Sequence, residues 1–175
     1  DWQVKIADMD ISQHTSTDRH GRRLGNDIKP DVAVEQYGSV ARVLQDESHY
    51  DLIIFDGAPH SNKMTKQIAD SSDLVIIPTG VTVDDLRPTI RLAHELKQGG
   101  VAKTKMALVL NRVSSSPVEL QDAHDYIQEA MYRCLGSIPE KTGYHRALDA
   151  GYSLTETPYA LSLIHISEPT RHRYI

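Results

Sequence analysis

Three aspartates, an asparagine and a proline each stand where an apolar run of the chain ends. Asp8 and Asp10 close "VKIADMD" two residues apart, so on an extended strand both carboxylates point the same way, and one of them could orient a water molecule. Asp56 closes "YDLIIFDGAP", in which a glycine and a proline turn the chain beside the carboxylate. A buried carboxylate without a partner is costly, so one reading has Asp56 facing a cation; the plain alternative is an acidic residue opening a loop. Asn111 closes "MALVLN", and its amide pairs a donor with an acceptor, as reading a base edge requires. Pro139 opens the loop "IPEKTGYHRALDAG", where its ring could pack on a planar group. Each position alone is also what a turn or a solvated surface supplies; their joint placement after strands is what carries weight.

The elements that must position them are legible as an alternation. "VKIA" (Val4 to Ala7), "DVAV" (Asp31 to Val34), "LIIF" (Leu52 to Phe55), "LVIIP" (Leu74 to Pro78), "MALVLN" (Met106 to Asn111) and "CLGSIP" (Cys134 to Pro139) read as strands. Apolar throughout rather than alternating, they suit parallel strands covered on both faces. "SVARVLQDE", "KMTKQIADS", "DDLRPTIRLAHELKQGG" and "VELQDAHDYIQEAMYRC" carry helical spacing. In the third, Asp84 and Asp85 favour the start, Pro88 suits a first turn, and Gly99 with Gly100 ends it. In the fourth, Ser116 before Pro117 and Glu119 is a helix entry. The expectation is an α/β fold, a doubly wound, mostly parallel sheet with helices on both faces, in one domain without repeats or a linker.

Composition narrows the class of partner. A net charge of -5 over 175 residues does not advertise nucleic acid or anionic membrane, so such a contact has to be a local patch. The lone Cys134 excludes an internal disulfide and reads as a small core residue in a reducing compartment. The nine histidines show no metal-binding spacing, and His60 and His145 read as ordinary loop residues. No apolar run approaches the roughly 20 residues of a membrane span, and no signal peptide opens the chain, which makes a cytoplasmic location the default expectation.

Both ends carry a second expectation. The chain opens almost directly in a strand and without an initiator methionine, which suggests that upstream residues are missing. "LSLIHISEPTR", Leu161 to Arg171, resembles the translation of a sequencing-library adapter. Residues 1–160 are therefore taken as the folding part and residues 161–175 as a non-native tail.

"VKIADMD", "YDLIIFDGAP", "ADSSDLVIIPTGVTVDDL", "LVLNR" and "IPEKTGYHRALDAGYSLTE", in this order, resemble the ParA/MinD family of deviant Walker A ATPases, especially the short ParA-like partition ATPases. The resemblance runs over residues 4 to 157. It implies a P-loop NTPase-like fold that binds ATP with Mg2+. By resemblance, Asp10 positions or activates the attacking water, Asp8 sits beside it near the magnesium, and Asp56 is the aspartate that holds magnesium through water. Asn111 with Arg112 and Pro139 matches the adenine pocket. The family also implies an ATP-dependent homodimer that binds DNA without sequence preference, and a centromere-binding or stimulating partner protein that triggers hydrolysis. No basic amphipathic terminal helix is visible, so DNA is favoured over membrane, with Arg133, Lys141 and Arg146 as candidate contacts.

Departures from the family pattern keep other readings open. Ile11, Ser12 and Gln13 stand where the family has a proline and a glutamine, and "GAPH" replaces a double proline. The family's glycine-rich phosphate loop, whose backbone donors and lysines cradle the phosphates, has no counterpart: neither Gly99 with Gly100 nor "GRRLGN" fits. The chain is therefore expected to lack the first strand, the P-loop and the first helix, and to be inactive as written. Two alternatives are an ATP-dependent carboxylate-activating synthetase on the same fold and a regulatory module that binds nucleotide without hydrolysing it.

Overall fold

A computed structural model describes residues 2–10, 13, 15–58, 63–114 and 116–158. Ile11, Ser12, Pro59, His60 and the tail 161–175, all singled out above, lie outside the described residues. The order is β1 (Val4–Asp8), α1 (Thr15–Gly25), β2 (Ala33–Gln36), α2 (Val40–Leu44), β3 (Leu52–Asp56), α3 (Lys63–Ser71), β4 (Val75–Thr79), α4 (Val83–Gln98), β5 (Met106–Val113), α5 (Pro117–Glu129), β6 (Arg133–Pro139) and α6 (Thr142–Asp149). The described residues divide into two compact units, residues 1–72 with 146–153, and residues 73–145 with the segment from 154 on. Each is built on a three-stranded, all-parallel sheet, ordered β2-β1-β3 in the first unit and β4-β5-β6 in the second.

In the first unit, one sheet face carries Ala7 and Met9 with Ile53 and Phe55. It packs against Val40, Val43 and Leu44 of α2 and Met64 and Ile68 of α3. Successive strand residues point to opposite faces, so Asp8 belongs to the other face, where α1 packs on β1 and β2. Lys5 breaks the apolar reading of β1: its side chain is among the most buried in the chain. Its ammonium lies 2.8 Å from Glu35 and 3.0 Å from Asp46, and 5.0 Å from the ring centres of both Tyr37 and Tyr50. Burial opposes the charge on Lys5, but the bonds to Glu35, Tyr37 and Asp46 outweigh it and raise the pKa. Lys5 in turn, as the leading cause, pulls the carboxyls of Glu35 and Asp46 below their ordinary range.

In the second unit, α4 packs on β4, α5 on β5 and β6, and the two helices on each other. Thr82 caps α4 by accepting from the Asp85 amide at 3.3 Å. Pro88 falls in the second turn rather than the first, so it removes the bond to Asp84 that an interior residue would make, and the long helix absorbs the loss. After the last turn the Gly100 amide bonds back to Lys97 and that of Val101 to Leu96; Gly100, at φ 100, takes the left-handed conformation, and the helix ends at this pair as expected. Ser116 caps α5 by accepting from Glu119, and Pro117 follows as a first-turn residue, as expected.

Candidate functional site

The two ends of β1 and β3 are held in register, with Asp8 opposite Asp56 and the Met9 amide donating to the Asp56 carbonyl at 2.9 Å. Asp8, Asp10 and Asp56 thus meet at one carboxyl-terminal sheet edge, where open parallel sheets place their ligands. The strand stops at Asp8, however. Asp10 lies beyond it and turns back so that its own amide donates to Asp8 Oδ1 at 3.2 Å, which ends the argument that both carboxylates share a strand face.

Asp8 is only 1 % exposed. Its other oxygen, Oδ2, accepts the backbone N–H of Thr17 at 3.2 Å and the Thr17 hydroxyl at 2.8 Å. It serves α1 as a capping residue supplied from a strand, satisfying first-turn donors that the helix itself leaves open. Asp56 is half-buried, and its Oδ2 accepts the hydroxyl of Ser16 at 2.5 Å. Sequence reasoning missed Ser16 and Thr17. The signal was present in "HTSTD", three consecutive hydroxyl residues before an acid, which is a helix-entry composition.

The donor set suits magnesium. Asp56 offers a hard oxygen at a half-buried strand end, engaged here by the Ser16 hydroxyl. Among the described residues no group of three His, Cys, Asp or Glu side chains clusters to hold an ion on its own. A magnesium site shared with substrate phosphates and water takes only one or two carboxylates from the protein. A cleft of about 630 Å³ opens beside Thr17, lined by Glu35, Gln36, Tyr37, Arg42 and Asp46 among others.

Asn111, Arg112 and Pro139 belong to the second unit and are brought together by strand pairing. Asn111 stands opposite Ile138 and Val113 opposite Pro139, with a register irregularity between the two pairs, and the Glu140 amide donates to Val113 at 2.9 Å. Arg112 is exposed and sits at φ 54, a left-handed conformation that costs a non-glycine residue energy, and its amide donates to Asn111 Oδ1 at 3.1 Å. The segment after Pro139, expected to be a loop, forms α6 instead; His145 is a helical residue with Nε2 3.3 Å from Glu140. Arg133 and Lys141 flank opposite ends of β6, about 20 Å of strand, so they do not form one compact basic patch.

No family model and no curated protein matches the chain. Solved structures do. MinD from Pyrococcus horikoshii, complexed with Mg-ADP, superposes with a TM-score of 0.68 at 16% identity, covering 93% of this chain and 79% of that one. McdA from Cyanthece gives 0.68 at 19% identity, over 92% and 83% of the two chains. A putative plasmid partition protein from Borrelia burgdorferi, bound to AMPPNP, gives 0.60 at 17% identity, over 87% and 79%. The strand ends that gather Asp8, Asp10 and Asp56, and those that gather Asn111 and Pro139, therefore belong to a chain with the ParA/MinD-like ATPase fold.

Proposed function

We propose that this chain is the body of a ParA-like partition ATPase, which uses ATP with Mg2+ to switch a homodimer on and off nonspecific DNA, and segregates a plasmid, chromosome or mobile element. The observation that carries the reading is the pairing of Asp8 with Asp56 at the carboxyl end of a parallel sheet, beside Asp10. Magnesium, when bound, would neutralise phosphate charge, and phosphoryl transfer to water needs little more than that and an oriented nucleophile. Asp56 would hold the metal side, Asp10 would align the water, and Asp8 would fix the first turn of α1 next to both. Asn111, Arg112 and Pro139 would receive the adenine. A centromere-binding partner would stimulate turnover, and the protein would act in the cytoplasm on the nucleoid.

On this reading the phosphate cradle has no counterpart among the sequence motifs, and the sheet edges support the idea that further chain supplies it. Among the described residues β3 pairs with β1 alone, and Leu52 and Ile54 on it are 40% and 45% exposed. Among the same residues β4 pairs with β5 alone, and Ile76 on it is 52% exposed, with Leu74 just before it at 45%. The opposite edges differ in part: β2 ends in Glu35 and Gln36, while β6 exposes Leu135 at 41% but pairs irregularly around Gly136. Parallel strands are ordinarily enclosed, and uncharged apolar edges are what proteins avoid leaving open. Residues 1–160 alone are accordingly expected to aggregate or unfold in part and not to bind ATP. ATP turnover by the full-length protein, measured with and without DNA, tests the reading: DNA- and partner-stimulated hydrolysis is expected, whereas turnover that depends on a carboxylic acid substrate points to a synthetase.

A further inference from the structure

We infer that Ser16 is the positioning residue for Asp56, and that the first turn of α1 lets go of the β3 end when a divalent cation takes that carboxylate. The inference rests on the reading of Asp56 as the magnesium-side aspartate. Two neighbouring residues tether this turn in different ways. Thr17 is held to Asp8 by two bonds, at a carboxylate that is buried and that also receives the Asp10 amide. Ser16 is held to Asp56, among the described residues, by its hydroxyl, at 2.5 Å and across 40 residues of sequence.

A hydroxyl proton competes for the lone pairs of a carboxylate oxygen with a cation, or with the water that the cation holds. The Asp8 tether does not take part in that competition. Metal loading would therefore free Ser16 while Thr17 stays in place, so the change is confined to the beginning of the helix. Ser16 both aims the Asp56 carboxylate before the ion arrives and opposes its arrival, which makes the first turn of α1 a reporter of occupancy.

The test is a titration of magnesium chloride, at saturating ADP, into the full-length protein, with backbone amide chemical shifts followed over residues 16–19. In the wild type, loading should shift the Ser16 amide resonance and leave that of Thr17 in place. Ser16→Ala should bind magnesium about tenfold more tightly, the order of a lost hydrogen bond to a charged group. Its first turn should no longer respond, and Ser16→Thr, which keeps the hydroxyl, should behave as wild type. Equal or weaker binding by Ser16→Ala, with binding still lost in Asp56→Asn, overturns the latch and leaves the magnesium role of Asp56 standing. Magnesium binding that survives Asp56→Asn, or no binding by the wild type, overturns that role and the latch with it. Should Ser16→Ala fail to fold, wild-type shifts decide: magnesium binding that leaves the Ser16 resonance unchanged rules the latch out.

Discussion

Thr17 gives both its backbone N–H and its hydroxyl to one oxygen of Asp8, at 3.2 and 2.8 Å, so the carboxylate that ends β1 also starts α1. Asp8→Ala would leave the Thr17 and Asp10 amides without their acceptor in a buried place. The expected loss is about 1 to 3 kcal/mol in urea unfolding, with a smaller one for Thr17→Ala. A stability loss no larger than that of Asp10→Ala would show that the cap contributes little.

Asp10 has a different expected profile in the full-length protein. A carboxylate that aligns water can be lost without dismantling the nucleotide site, so Asp10→Ala should still bind ATP and dimerise while turning it over at least about a hundredfold more slowly. Unchanged turnover would remove Asp10 from the reaction.

The Lys5 network gives stability a pH dependence of known sign. Glu35 and Asp46 have folded pKa values below their ordinary 4.5 and 3.8. Their contribution is complete above that range and is lost as pH falls through the lowered values; that of Lys5, whose pKa is raised, is complete below 10.5 and lost only above it. Replacing both carboxylates, as Glu35→Gln with Asp46→Asn, leaves a buried ammonium without its anionic partners. The Tm of the double variant at pH 7 should fall by more than the two single losses combined, and its decline between pH 5 and pH 3 should be shallower than the wild type's. Additive single effects would mean that the two carboxylates do not share Lys5.

Gly151 and Gly100 separate two reasons for glycine. Both have positive φ, 88 and 100, but a Cβ at Gly151 would come within 2.5 Å of the Arg23 backbone nitrogen, while one at Gly100 meets nothing within 4 Å. Arg23 is buried and bonds Pro30 and Gly151 carbonyls, so its backbone cannot step aside cheaply. Gly151→Ala should cost about 2 to 4 kcal/mol and Gly100→Ala about 1 to 2 kcal/mol in thermal unfolding. Equal costs would show that the contact with α1 has slack.

What the sequence disclosed, and what it withheld, follows from where the stabilising partners lie. The helix expected over "KMTKQIADS" has the bounds of α3, because its apolar spacing is local. β3 runs one residue beyond "LIIF", and β2 begins and ends two residues later than "DVAV". α1 was invisible, since it is polar, contains Gly21, and is held by residues far away in sequence: Asp8 and Asp56 at its start, Gly151 at its end. Nothing local marked Lys5 within "VKIA" as a buried charge, because Glu35 and Asp46, which make its burial affordable, follow 30 and 41 residues later. Asp8 and Asp56 were legible as strand-end carboxylates, but Ser16 beside Asp56 could be seen only once the chain was folded.

The most direct measurement is the affinity of the full-length protein for ATP as a function of magnesium, for wild type and Asp56→Asn. If Asp56 holds the metal of an ATP site, the wild type should bind ATP more tightly as magnesium rises, and Asp56→Asn should fold normally yet lose most of that dependence. ATP affinity that is independent of magnesium in both proteins would contradict the assignment.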